Sequence, residues 1–240
     1  MLNVELIPIL NDNYTYLLQD TESHAVGIVD PGAADPVLEM LEQRGLALTH
    51  ILITHHHGDH IDGMKTLRKK YGAHVCGPRG EVDKIGNLDT VLGEGDTFQF
   101  GAETAGIIET PGHTLGHIAY WFEKSGKLFC GDTLFAMGCG RVFEGSLEQM
   151  YESLRKLGEL PSDTQIYCGH EYTVANGEFA MNIEPDNGTL RQRLNTVKAA
   201  RARGEPTLPS TIREELQTNV FLRARDAAHF AEIRRAKDAA

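Results

Sequence analysis

The sequence predicts an α/β domain over residues 1–172 followed by a helical domain over 173–240, and three observations carry that division. Short runs rich in β-branched or aromatic residues alternate with capped helical stretches until about residue 170. Beyond it come only helical stretches, at 173–183, 189–203, 211–217 and 226–237. The charge changes near the same place: residues 1–187 carry 12 Lys and Arg against 28 Asp and Glu, whereas 188–240 carry 11 against 6. A composition of 41% apolar and 24% charged residues excludes collagenous and largely disordered classes. The overall charge of −11 argues against a nucleic-acid partner.

The elements follow from local chemistry. Val26–Val29 reads as a strand ending in Asp30-Pro31-Gly32. Asp35 as N-cap and Pro36 at the first helical position open a helix that Gly45 closes. The strand at 51–53 ends in Thr54-His55-His56-His57-Gly58-Asp59-His60, and a helix over 62–71 stops at Gly72. Strands at 107–108, Ile118–Phe122, 128–130 and Gln165–Cys168 follow, and a capping-box pair, Ser146 with Gln149, opens a helix ending at Gly158. Polar clusters containing His113, Asp132 and His170 stand just after three of these strands, where loops on a rigid scaffold carry chemistry.

The densest cluster, H-x-H-x-D-H, arises by chance in a chain of this length on the order of once in ten thousand. In extended backbone His55 and His57 point to one side and reach one ion, His56 faces away, and Asp59 and His60 serve a second. His113, Asp132 and His170 supply what that motif lacks. His55, His57 and His113 make a three-histidine set, Asp59, His60 and His170 a mixed set, and the two oxygens of Asp132 bridge them. Such N/O donors suit Zn²⁺, Fe²⁺ or Mn²⁺. Asp30 is expected to hold a ligand imidazole or loop, and His117 to support the His113 loop or serve the core; His24, His50, His74 and His229 have no partner pattern.

Cys76, Cys130, Cys139 and Cys168 form no C-x-x-C pair, so a disulfide framework is not expected and a reducing, cytoplasmic compartment is. The first residues lack the features of a signal peptide, and no run reaches the roughly 18 apolar residues of a membrane span.

These motifs resemble the metallo-β-lactamase superfamily and, within it, the type II glyoxalases. H-x-H-x-D-H marks the superfamily. The narrower likeness lies in D-N-Y-T-Y-L at 12–17, P-G-H-T-L-G-H at 111–117, C-G-D-T-L-F at 130–135, G-C-G-R-V-F-E-G at 138–145, C-G-H-E-Y-T at 168–173, N-V-F-L-R at 219–223 and R-R-A-K-D at 234–238. The resemblance implies a four-layer αββα sandwich with a C-terminal helical domain, two divalent metal ions per chain with zinc foremost, and hydrolysis of S-D-lactoylglutathione to glutathione and D-lactate. It implies a monomer that acts on a small glutathione thioester, with neither nucleic acid nor membrane as partner. Its metal ligands fall on His55, His57, Asp59, His60, His113, Asp132 and His170, with Asp59 and Asp132 also orienting the metal-bound hydroxide. Arg141, Tyr172, Arg234 and Lys237 are the implied glutathione contacts. Phe143 stands where some members have Tyr, so one hydrogen bond to glutathione is missing or supplied differently.

The chemistry agrees with that expectation. Two cations sharing a water lower its pKa from 15.7 towards neutrality, and a thiol with pKa about 8.5 leaves without a dedicated general acid. Arg234 and Lys237, three apart on a helix, offer cations to an anionic substrate that the acidic core does not. The competing readings are a mononuclear iron persulfide dioxygenase of the same superfamily, a β-lactamase, and a metal-stabilised binding module without turnover.

Overall fold

In the computed structural model, which describes all residues Met1–Ala240, the chain forms two units. The first comprises Met1–Glu109 with Gly116–Gly131, the second Thr110–Leu115 with Asp132–Ala240.

The first unit opens with a hairpin that pairs Leu2–Ile9 with Asn13–Asp20, turning at Leu10, whose φ is 52°. Asn13–Asp20 pairs antiparallel with Val26–Val29, after which His50–Leu52, His74–Pro78 and Thr90–Leu92 add in parallel. Parallel neighbours require crossovers, and the helices Asp35–Arg44 and Met64–Tyr71 supply the first two. Val37 and Leu41 of one helix and Met64 and Leu67 of the other enter the cluster that buries Ile28, Ile51 and Val75. A second sheet in this unit is an antiparallel meander of Thr97–Phe100, Glu103–Glu109, Ile118–Phe122 and Lys127–Gly131. The two sheets meet through aromatic side chains. Tyr16 and Phe129 have ring centroids 5.7 Å apart, and fully buried Tyr120 donates its hydroxyl to the Ile53 carbonyl at 2.9 Å. Asp30 and the 54–60 loop therefore leave the carboxyl ends of adjacent parallel strands, where open α/β sheets place their ligands.

Two expected helix starts move. Asp35 is the first helical residue and Ala34 the cap, so Pro36 rather than a capping side chain marks the start. The helix expected from residue 62 begins at Met64, after a separate turn Gly58–Ile61. Between them Gly63 donates its N–H to the Pro31 carbonyl at 2.9 Å, which diverts the chain before the second helix starts.

The second unit contains the short hairpin Leu134–Phe135 and Gly138–Cys139, the helix Leu147–Gly158, the strand Gln165–Cys168 and the helices Thr173–Ile183, Gly188–Ala202, Ile212–Thr218 and Ala227–Asp238. Ser146 and Gln149 cap Leu147–Gly158 reciprocally, as their spacing predicts. The expectation of no strand after residue 172 fails at Ser210–Thr211, which pairs with Gln165 and Ile166. Two residues show no alternation, and Thr211 also caps the next helix through a box with Glu214, so its local pattern reads as a helix start. Glu215, fully buried, accepts hydrogen bonds from Met137 N at 2.8 Å, Arg193 Nη2 at 2.6 Å and Asn219 Nδ2 at 3.0 Å. A buried carboxylate is tolerated only with such partners, and these fasten the 134–139 hairpin to the helices. No helix is long and apolar enough to cross a membrane.

Candidate metal centre

In the first unit one buried carboxylate orients two histidines. Asp30 Oδ1 accepts from Thr54 N at 2.8 Å, while Oδ2 accepts from Thr54 Oγ1 at 2.6 Å and His60 Nδ1 at 3.1 Å. Thr54 has given its hydroxyl hydrogen to Asp30, so its contact with His55 Nδ1 at 3.0 Å requires the imidazole to donate. Both rings thus carry their proton on Nδ1 and present Nε2 as a lone pair. His55 Nε2 lies 3.1 Å from His57 Nδ1, and His60 Nε2 lies 3.6 Å from Asp59 Oδ2. Asn13 Nδ2 donates to that same Asp59 oxygen at 2.9 Å. Gly32 allows the arrangement, because a Cβ there would stand 1.8 Å from the Asp59 carbonyl oxygen.

The second unit brings together the other three expected ligands. His113 Nδ1 donates to the Arg141 carbonyl at 2.8 Å, which again leaves Nε2 as the donor to a cation. That Nε2 is 3.4 Å from Asp132 Oδ2, and His170 Nε2 is 3.2 Å from the same oxygen. His170 stacks on Tyr172 with planes 6° apart and meets Phe135 edge-on, so aromatic packing holds its ring. Gly140 passes against the Asp132 backbone, where a Cβ would lie 1.9 Å from the carbonyl oxygen.

These donors suit divalent cations. Bonds of roughly 2.0 to 2.2 Å to a shared ion place neighbouring N and O donors about 3.0 to 3.5 Å apart. Three of the four donor separations, from 3.1 to 3.4 Å, fall in that range, and the fourth is 3.6 Å. The second-sphere partners, carboxylate, hydroxyl and carbonyl, are the groups that orient ligating imidazoles.

Comparison with known proteins agrees with this chemistry. Residues 10–170 match the metallo-beta-lactamase superfamily, and 171–240 match the hydroxyacylglutathione hydrolase C-terminus. The hydroxyacylglutathione hydrolase of Methylococcus capsulatus is 48% identical, covering 99% of this chain and 98% of the relative. That of Rhodopseudomonas palustris is 49% identical over 92% of this chain and 87% of its own. The crystal structure of ETHE1 from Myxococcus xanthus is similar with a TM-score of 0.75 and 27% identity, covering 97% of this chain and 90% of that one. The chain belongs to the hydroxyacylglutathione hydrolase family. Its fold is accordingly the α/β metallo-beta-lactamase fold with a C-terminal helical region, and its buried His and Asp sets are those of a divalent-metal hydrolase.

Within this hydroxyacylglutathione hydrolase fold the residues expected to meet substrate divide in two. Arg141, Phe143 and Tyr172 are exposed, with the Phe143 ring 5.2 Å from His113 and the Arg141 guanidinium 6.0 Å from the Phe143 ring. Arg234 is instead buried: Nη1 donates to the Cys139 carbonyl at 3.0 Å and Nη2 to Asp238 at 2.9 Å. Lys237 is half-buried, donates to the Ala175 carbonyl at 3.1 Å and lies over the Phe179 ring; burial lowers its pKa.

His117 stacks on His55, with ring centroids 4.8 Å apart, and so packs beside the first motif. His56 Nδ1 meets Glu81 Oε2 at 2.8 Å while its ring stands 4.9 Å from that of His57, and Glu81 Oε1 accepts from Gly116 N at 3.2 Å. Sequence reasoning missed Glu81, which lies in no patterned segment, and Asn13, whose only signal is its place in D-N-Y-T-Y-L. The four cysteines are free and buried, and burial pushes Cys76 and Cys168 up to about 12 and Cys139 to about 11. These three are unsuited to act as thiolate nucleophiles near neutral pH.

Proposed function

We propose that the chain hydrolyses the thioester of S-D-lactoylglutathione to glutathione and D-lactate with two divalent metal ions, zinc foremost and iron or manganese compatible with the same donors. The observation that carries this reading is the Asp132 carboxylate: a single oxygen, Oδ2, stands 3.4 and 3.2 Å from imidazole nitrogens of His113 and His170. His55, His57 and His113 would hold one ion and Asp59, His60 and His170 the other, with Asp132 shared. A bound pair supplies Lewis acidity that polarises the thioester carbonyl and brings the pKa of water towards neutrality.

The chain's own residues do the rest. Asp59 and Asp132 accept hydrogens of the attacking water and so aim it, and Asn13 holds the Asp59 carboxylate in one orientation. Water oxygen bonds to the carbonyl carbon as a proton of that water passes to bulk solvent, the carbon–sulfur bond breaks, and the electron pair leaves on sulfur, giving the hydroxy acid and the thiolate. A thiolate whose acid has a pKa of about 8.5 needs no protein proton donor, in keeping with a site built from imidazoles and carboxylates. Arg141, Phe143, Tyr172 and Lys237 are the proposed glutathione contacts, Phe143 offering its ring where a tyrosine would add a hydroxyl. Arg234 belongs to the same proposed set: its Nη1 and Nη2 are engaged inside the protein, while its buried Nε has no hydrogen-bond partner.

The junction of the two family matches at 170 and 171 supports a boundary near 172 between the catalytic and substrate-binding parts. A monomer in the reducing cytoplasm completes the proposal, the compartment supported by four free buried thiols. The test is elemental analysis of protein purified without chelator, together with an assay on S-D-lactoylglutathione. Two ions per chain and release of glutathione are expected. One ion per chain after reconstitution with excess Zn²⁺, Fe²⁺ and Mn²⁺ would remove the binuclear centre, and metal-replete protein without thioester cleavage would leave a binding module.

A further inference from the structure

We infer that Glu81 and His56 are a positioning pair for the loop that carries His55 and His57: the Glu81 carboxylate holds the residue between them and, by a second route, the ring stacked on His55. The inference rests on the reading of His55 and His57 as metal ligands. Every contact it uses lies within the first unit.

One residue separates the two ligands, so the direction of both rings follows the backbone at position 56. Residues 54–57 belong to no helix or strand, and that backbone needs an anchor from outside the loop. His56 supplies it. Its Nδ1 stands 2.8 Å from Glu81 Oε2 and, facing a carboxylate, donates. The Glu81 side chain is fully buried and that of His56 only 16% exposed, so water competes little for this charge-assisted bond.

The other carboxylate oxygen reaches His55 from the far side. Glu81 Oε1 accepts from Gly116 N at 3.2 Å, and the next residue, His117, lays its ring on His55 with planes 26° apart. Ile118 N then donates to the Thr54 carbonyl at 3.0 Å, which joins this segment to the residue before His55. Two glycines permit the approach. A Cβ on Gly116 would lie 2.4 Å from Glu81 Cγ, and one on Gly80 would lie 2.8 Å from Gly116 Cα. A carboxylate suits the place because both partners are N–H groups: it offers an acceptor to each, whereas an amide has one oxygen to share.

Binding of Zn²⁺ to the full chain, measured without substrate by competition against a chromophoric chelator, tests the pair, with the visible absorption of the Co²⁺-loaded protein as a second readout. His56→Leu removes the donor and should weaken binding of one ion about tenfold, the low end for an orienting residue because the effect passes through backbone. The Co²⁺ bands should shift, and kcat should fall at nearly unchanged KM. His56→Asn, which keeps an N–H donor at the same distance along the side chain, should retain most of the affinity. His56→Leu also strands a buried carboxylate, so the paired variant His56→Leu/Glu81→Met separates position from stability. Removing both partners should bring the thermal midpoint back towards wild type while Zn²⁺ affinity stays low. Ile85→Ala, a buried neighbour in the short helix Val82–Ile85, should lower the midpoint without changing affinity. Wild-type affinity in His56→Leu and in the paired variant, or an equal loss in Ile85→Ala, would overturn the inference. A His55→Ala protein that binds both ions as tightly as wild type would refute the underlying metal-ligand reading instead.

Discussion

In the first unit the imidazoles of His55 and His60 are oriented by side chains, the Asp30 carboxylate and the Thr54 hydroxyl, while in the second His113 is oriented by the main-chain carbonyl of Arg141. Asp30 needs only the end of its own strand to stay in place, since its partner Thr54 follows the adjacent parallel strand. The Arg141 carbonyl is carried by a segment held from nearby by the Leu134–Cys139 pairing and the hydrogen bond from Gly140 to Thr133, and from the C-terminal helix by Arg234 and Asp238. The proposed ligands of the first unit are therefore oriented from neighbouring strands, whereas His113 is oriented by a segment that residues almost a hundred positions away in sequence also hold. For the proposed ligands the chemical requirement is the same in both, an imidazole that presents its Nε2 lone pair, but the second solution draws on contacts from the helical region.

That contrast can be broken most severely at Asp132. Asp132→Ala should lose metal and cut kcat/KM by more than the roughly 100-fold that a supporting residue costs, because one oxygen stands against ligands on either side of it. Elemental analysis and turnover check this, and normal values for both would end the shared-ligand assignment.

Next come the glycines beneath the ligands in each unit. Gly32→Ala and Gly140→Ala would each drive a Cβ to within 2 Å of a carbonyl oxygen, of Asp59 and Asp132 respectively, and should lower the stability of metal-free protein by at least about 1–3 kcal/mol. Thermal unfolding reads this directly, and an unshifted midpoint in either variant would mean that the backbone yields there.

A smaller and more selective effect is expected at the orienting side chains. Asp30→Asn should weaken Zn²⁺ binding by about 10–100-fold, since it disturbs both His55 and His60. Thr54→Val releases His55 Nδ1 and removes one hydrogen bond to Asp30 but leaves the His60 to Asp30 contact and the Thr54 N–H bond in place, so it should cost less and fall mainly on one ion. Equal losses in the two variants, measured by chelator competition, would contradict the shared role of Asp30.

The least disruptive change is Lys237→Ala. If the ammonium meets a glutathione carboxylate, KM should rise about tenfold with kcat and metal content unchanged, the low end for a charge-assisted contact because Lys237 already donates to Ala175. Added salt should then weaken the wild type more than the variant, and a KM equal to wild type would make this lysine a structural residue.

Much of this was legible in the sequence because the relevant physics is local. The H-x-H-x-D-H spacing, the Ser146–Gln149 capping box and the helix limits after residue 172 depend on residues within a few positions of one another and appear near the expected places, except that the extended loop ends at His57 and Asp59 and His60 lie in the helical turn Gly58–Ile61. The strands Leu2–Ile9 and Asn13–Asp20 were not read out, since each is specified by pairing with the other more than by its own pattern. Glu81 was invisible for a similar reason: its carboxylate acquires meaning only where His56 and the Gly116 amide arrive beside it.

Sequence by itself determined which side chains are available as donors, which of them leave strands, and that a basic helical segment follows an acidic α/β region. Tertiary structure alone decided what Arg234 does. Its spacing from Lys237 places two cations on one helix, and that pattern says nothing of whether the face is exposed. Packing buries the Arg234 side chain over Phe221, where the fold brings the Cys139 carbonyl to Nη1 and Asp238 to Nη2 and leaves Nε without a partner.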